Sequence, residues 1–235
     1  MDPRRPPMNP DALREALTLF CAIVASLSFH EAAHAWTAVR LGDPTPEDDG
    51  RLSLNPLNHL DPLGTLMLAV LALGGVGLGW AKPVQVEPLN FRNPRRDMLL
   101  VSLAGPFSNL FLAAGTLALF GALGAAGLLS ALPSEAQRFA ADALRAMLSV
   151  NVALFAFNLL PVFPLDGHRI LPALLPERRG AALEERLLRW GMRPLAVLFL
   201  LEWLTPLRPL AWLMAPASRF AFRALDLAVA WLPGF

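Results

Sequence analysis

Apolar residues run along this chain in long blocks, and prolines and glycines mark where the blocks end. A polar, proline-rich lead, Met1–Pro10, comes first and is expected to be disordered. Asp11 to Leu41 reads as one long helix with Asp11 as its N-cap, and Gly42, Pro44 and Pro46 stop it. Asp43 to Asp61 is a polar loop in which Arg51-Leu52-Ser53-Leu54 alternates as a short strand does. Leu63 to Trp80 is apolar but rich in glycine, at the short end of what crosses a bilayer. Lys82-Pro83-Val84-Gln85-Val86-Glu87-Pro88 alternates between prolines, the pattern of an exposed edge strand.

Arg92, Arg95 and Arg96 form a basic cluster before Met98 to Leu132, a block long enough to span, with Gly105, Ser108, Gly115 and Gly121 allowing close helix packing. Ala140 to Leu160 is a second span, entered through Pro133–Arg138 and broken by Pro161 and Pro164. Pro176 to Arg193 is charged and mixed. Leu195–Leu204 and Leu210–Leu232 are the last apolar segments, parted by Pro206 and Pro209, although they carry Glu202, Arg219, Arg223 and Asp226. The pattern predicts an all-α integral membrane protein of about five to six membrane-embedded helical segments, with a short β element.

Composition agrees. Hydrophobic residues make up 55% of the 235, charged residues 17%, and mean hydropathy is +0.46, against about 25% charged in ordinary soluble domains. A net charge of +1 gives no reason to expect a nucleic-acid partner. Cys21 is the only cysteine, which excludes an internal disulfide and a cysteine-based metal site. Arg4 and Arg5 before an apolar run resemble a signal peptide. That run is longer than a signal core, lacks a small-residue cleavage site, and holds the chain's most distinctive motif.

That motif is His30-Glu31-Ala32-Ala33-His34. On a helix, residues i and i+4 share a face, so both imidazoles can address one metal. Glu31 lies on the adjoining flank, where it can take a proton from a water. Buried in lipid, such groups are expensive unless a metal and a reaction require them. A catalytic zinc takes three protein ligands and leaves one position open, so a third His, Glu or Asp is needed at membrane depth. Asn158-Leu159-Leu160-Pro161-Val162-Phe163-Pro164-Leu165-Asp166-Gly167 offers Asp166, with no basic neighbour before Arg169. The prolines free backbone groups at a depth where only protein or a water-filled cavity can receive them. Asp166 equally suits the N-cap of a helix starting at Gly167, and the residues alone leave both roles open.

An HExxH in a first membrane helix, followed by N-x-x-P-x-x-P-L-D-G, resembles the site-2 protease family, zinc proteases that cut inside the membrane. The stretches Asn55–Pro62 and Ala104–Asn109 resemble segments of its compact bacterial branch, and no stretch is long enough for the PDZ domain of larger members. The resemblance implies one Zn2+ per chain, with His30, His34 and Asp166 as ligands and Glu31 as general base. Asn158 would help hold the substrate or the oxyanion. It implies a single membrane-embedded metalloprotease domain over 1–235, with a core over about 11–171, C-terminal helices over about 187–232, and the β element near the active site. The substrate would be a transmembrane protein met within the lipid bilayer, cut in or near its membrane helix. The edge strand Val84, Gln85 and Val86 would receive it by main-chain hydrogen bonds. The second glycine often found after the Asp-Gly is His168 here, which leaves it a residue supporting a ligand from behind or a surface residue, in preference to a fourth ligand. His59 is either a loop hydrogen-bonder or a donor toward the oxyanion or a ligand. The alternative is a non-proteolytic membrane protein: a metal or proton transporter, or an inactive homologue.

A shared metal also constrains topology. His34 lies near the end of the first helix and Asp166 just past the end of Ala140–Leu160, so both ends belong on one side. Full crossings by both Leu63–Trp80 and Met98–Leu132 would separate them, so Leu63–Trp80 is expected to dip in and return. The shared face then carries Arg92, Arg95, Arg96, Arg178, Arg179, Arg186, Arg189 and Arg193. The positive-inside rule makes it cytoplasmic, in a bacterial inner membrane, with Arg4 and Arg5 on the unfavourable side.

Overall fold

The computed structural model describes residues 10–74 and 79–230. Most of the expected lead Met1–Pro10, Gly75 and Gly77 of the glycine-rich block, and the end of the last apolar segment lie outside the described residues. Helices run in the order α1 (Pro10–Leu41), α2 (Thr45–Asp48), α3 (Pro62–Ala72), α4 (Pro94–Ala125), α5 (Ser134–Asn158), α6 (Gly167–Leu174), α7 (Glu177–Trp190), α8 (Arg193–Leu204) and α9 (Pro209–Ala230).

Three of these, α1, α4 and α5, are long and apolar enough to cross a membrane. Their outward faces expose Leu17, Phe111, Leu119 and Phe139, as lipid contact requires. Their inward faces pack in two layers. Ala22 and Ile23 of α1 meet Val150 of α5 and Leu68 of α3. Ala113 of α4 meets Leu144, Leu148 and Val152 of α5 and Ala221 of α9. α8 and α9 pass as a span only as a pair, and the pair is bent by 90°. Against the expected five to six embedded segments, the described residues hold three helices that pass as spans, or four with the bent pair. The charge at Glu202 is used in the bend: its carboxylate accepts from Leu210 N (2.8 Å) and Ala211 N (3.2 Å), capping the start of α9.

The glycine-rich block turns back. Asp61 caps α3 by accepting from Gly64 N (2.8 Å), with Pro62 in the first turn. The helix is only 11 residues, roughly 16 Å against a hydrocarbon core of about 30 Å. Leu60 then pairs antiparallel with Ala81, so the excursion ends where it began. Gly64 permits this: a Cβ there would stand 2.2 Å from the Trp80 carbonyl oxygen.

No strand forms among the described residues, which corrects both the Arg51–Leu54 and the Lys82–Glu87 expectations. Val84 and Val86 do alternate with exposed Gln85, and Val86 packs on the cluster of Ala38, Phe91 and Val101. Alternation reports one-sided burial; a strand also needs a ladder, and here side chains take the backbone groups. On the same flank, Asn93 caps α4 by accepting from Arg96 N (3.3 Å), and Arg95 donates to the Pro172, Ala173 and Leu175 carbonyls at the end of α6.

Among the described residues, α4 and α5 are the only helices between the loop after α1 and Asp166 that are long and apolar enough to cross, which puts that loop and α6 on one side. In a Cys21→Ala background, cysteines at Asp49 and Arg92 should label from one face of the membrane and one at Glu135 from the other. Labelling of Asp49→Cys and Arg92→Cys from opposite faces would break this topology.

Candidate metal centre and active site

α1 carries His30 and His34 one turn apart, both buried. Their Nε2 atoms lie 3.0 Å apart. The Asp166 carboxylate closes the triangle, with Oδ2 3.2 Å from His30 Nε2 and Oδ1 3.3 Å from His34 Nε2. The other ring nitrogens are committed. His34 Nδ1 donates to the Val101 carbonyl at 2.7 Å. His30 Nδ1 donates to Asn109 Oδ1 at 2.7 Å, an oxygen by assignment because Asn109 Nδ2 donates to Ser26 O (3.3 Å) and Asn151 Oδ1 (3.0 Å). Asn151 in turn donates to Ser26 Oγ (2.9 Å) and Met147 O (2.8 Å). Ser26, Asn109 and Asn151 are fully buried, so one polar network ties α1, α4 and α5 together and sets the His30 tautomer.

Asp166 holds the N-cap position of α6, yet its side chain makes no capping bond. Of its two open roles, cap and ligand, the side chain takes up only the second position. Oδ2 is buried with no hydrogen-bond partner. With both Nδ1 protons donated, a neutral imidazole at either position turns its Nε2 lone pair toward the carboxylate, and all three donor atoms lie within 4.8 Å of one another. A metal ion at their centre would be held by all three, and two imidazoles with one carboxylate form a zinc donor set. Two glycines make room. A Cβ on Gly105 of α4 would sit 2.3 Å from His34 Nε2 and 2.7 Å from His30 Cε1. A Cβ on Gly167 would sit 2.2 Å from the Leu160 carbonyl oxygen, in the turn that brings Asp166 back from α5.

Glu31, half-buried, accepts from Val84 N at 3.1 Å. Asn158 donates to Leu154 O within α5 (3.0 Å). His59 is fully buried, with its Nε2 donating to Ser53 O at 2.7 Å. His168 is buried, which corrects the surface alternative. Its Nδ1 donates to Leu165 O (2.6 Å), its ring packs edge-on against Phe163, and burial pushes its imidazole pKa down. It braces the Asp166 turn.

Sequence reasoning missed the roles of Asn109, Asn151 and Gly105. A signal was present for the first two: both are amides inside apolar spans, the same anomaly that singled out Asp166. Asp43 was missed too. It is fully buried and accepts from Thr45 Oγ1 (2.7 Å), Thr45 N (3.1 Å), Glu87 N (2.8 Å) and Asn90 Nδ2 (2.8 Å). Burial pushes its carboxyl up, and those bonds from Asn90, Thr45 and Glu87 hold it below the ordinary value.

Apolar spans enclosing a two-histidine, one-carboxylate centre, with a glutamate beside it, define a membrane metalloprotease. The chain belongs to peptidase family M50, the site-2 proteases, whose family model matches residues 67–201. That match includes Gly105, Asn109, Asn158 and Asp166 and begins after His34. “Putative zinc metalloprotease YwhC” of Bacillus subtilis is 37% identical over 214 residues, 90% of this chain and 91% of that protein. The part left out is about 24 residues, fewer than precede His30, so the likeness includes the HExxH. “Putative zinc metalloprotease Rip2” of Mycolicibacterium smegmatis is 37% identical over 74% of this chain and 63% of its own length. Its namesake in Mycobacterium tuberculosis is 38% identical over 67% of this chain and 58% of its own length. No solved structure matches.

Asn109→Ala should weaken metal binding by about 10–100-fold, the usual cost of losing a group that orients a ligand. Gly105→Ala should weaken it further, because its Cβ enters the space of both imidazoles. Metal titration of the purified variants checks both; unchanged affinity in Gly105→Ala would mean the histidines are placed elsewhere.

Proposed function

We propose that the protein is a zinc-dependent intramembrane endopeptidase that hydrolyses a peptide bond in or near a transmembrane helix of a membrane-protein substrate. The observation that carries this reading is the convergence of His30, His34 and Asp166 next to Glu31, on a membrane-span helix. His34 stands seven residues before the end of α1, roughly 10 Å of helix, which favours a substrate met at membrane depth. The relatives' names, over most of the chain in the Bacillus protein, support the same chemistry.

His30 Nε2, His34 Nε2 and a carboxylate oxygen of Asp166 would hold the zinc. When bound, zinc supplies a Lewis acid that polarises the scissile carbonyl and acidifies water. Glu31 acts as general base: it removes a proton from the attacking water and delivers it to the leaving amide nitrogen. Asn158 is assigned to the substrate or its developing oxyanion, to which its Nδ2 can give the proton that Leu154 O does not take. The substrate helix must unwind first, since its amides are hydrogen-bonded in lipid. An unwound segment would pair with the extended residues 84–86, where Gln85 is exposed and neither Gln85 N nor Val86 N has a hydrogen bond among the described residues. The basic residues of the α4 start and of α7 favour a cytoplasmic site in a bacterial inner membrane.

Glu31→Gln should keep zinc and fold but lose about 10²–10⁴-fold in cleavage, while Asp166→Ala should lose zinc itself. Zinc analysis with cleavage of single-span substrates decides both, and near-normal cleavage by Glu31→Gln would end the assignment. Gln85→Pro, which deletes a free donor without touching the centre, should raise KM with zinc content unchanged. An unaltered KM would remove the docking role.

A further inference from the structure

The extended residues 82–87 are strung along the end of α1 by side chains from three places. Arg51, buried, donates from NH1 to Lys82 O (3.3 Å) and Asn58 O, and from NH2 to Pro83 O (3.5 Å). Lys82 N donates to His59 O at 2.7 Å. Asp43, fully buried just past α1, accepts from Glu87 N at 2.8 Å and from Asn90 Nδ2 at 2.8 Å. Between these anchors, Val84 N donates to Glu31 Oε2 at 3.1 Å, and Val86 packs on the cluster of Ala38, Phe91 and Val101. Two carboxylates of the same region, one on α1 and one just beyond it, thus each take an amide from this one strap.

We propose that Asp43 and Arg51 are positioning residues for the proteolytic reaction, fixing the 82–87 strap so that the Val84 amide holds the Glu31 carboxylate beside the histidine pair. The proposal rests on Glu31 being the general base. A glutamate on a helix has three rotatable bonds, and His30 fixes its backbone without fixing its carboxylate. The Val84 amide supplies that constraint from outside the helix. It can do so only while the strap keeps its register, because the strap has no partner strand of its own. Its position comes from Arg51 at one end and Asp43 at the other. Misplacing a reacting group by about 1 Å can cost on the order of 10²-fold in rate, so two residues remote from the metal act on the chemical step.

Amide-resolved hydrogen exchange on the full-length, zinc-loaded protein tests the device. Glu31→Ala should speed exchange at Val84 by about tenfold or more and leave Lys82 and Glu87 protected. Glu31→Gln keeps an acceptor oxygen and should retain the protection. Asp43→Asn turns an acceptor into a donor facing Glu87 N, and Arg51→Ala frees the Lys82 and Pro83 carbonyls. Each should deprotect Val84 while zinc content and exchange in α1, α4 and α5 stay unchanged. Each should also lower kcat on a single-span substrate about tenfold or more, beyond any change in KM from a displaced docking edge. Where Asp43→Asn opens the whole chain, Arg51→Ala carries the decision. Unchanged Val84 exchange in Glu31→Ala would overturn the proposal. So would a deprotected Val84 with normal kcat, or a rise in KM alone, which would make the strap a docking surface only. Failure of the base assignment is separable: it is read from cleavage by Glu31→Gln, whereas the strap is read from Val84 exchange in Asp43→Asn.

Discussion

Two imidazole lone pairs and a carboxylate meet in a space from which water is largely excluded. Their Nδ1 protons are given away, to Val101 O and Asn109 Oδ1, so neither ring can turn its proton inward without abandoning a buried acceptor. The remaining Nε2 atoms, 3.0 Å apart, are held against their own repulsion by the packing around them. A cation at that point stabilises the fold as well as the chemistry, because metal binding and folding are thermodynamically linked. Two donors come from one turn of α1 and the third from beyond α5, so the centre also closes the bundle.

The surrounding helices are shaped by that requirement. Polar groups in an apolar span cost free energy unless hydrogen-bonded. Ser26, Asn109 and Asn151 satisfy one another across α1, α4 and α5. The network ends on His30, so the rigidity of three spans is transmitted to one ring. Gly105 lets α4 approach both imidazoles more closely than any side chain would permit. Gly167 does the same where the turn after α5 folds under Asp166.

Outside the spans, buried side chains replace secondary structure. Arg51 and Asp43 hold a segment that a second strand would hold in a sheet. His59 supports the loop on the other side, through Ser53 O and through its own carbonyl to Lys82 N. The segment keeps the one-sided burial of a strand while two of its amides stay free. On that combination rest both the proposed bracing of Glu31 and the proposed docking of an extended chain.

Much of this was legible in the order of residues. Bilayer thickness fixes span length, and prolines cannot continue a helix, so α1, α4 and α5 follow from the lengths of the apolar blocks. Spacing of i and i+4 places His30 and His34 on one face by helix geometry alone. The return of the glycine-rich block followed from requiring two distant ligands to share a side, and the Leu60–Ala81 pairing agrees. The rest depended on which elements came to lie opposite one another. Whether Asp166 caps a helix or faces two histidines, whether alternation at 82–87 becomes a ladder, and why Glu202 and Asn151 sit in apolar runs are questions about partners distant in the chain. Local spacing is set by covalent and helical geometry and can be read residue by residue. The acceptor of each buried proton is set by tertiary packing, and only the folded chain decides it.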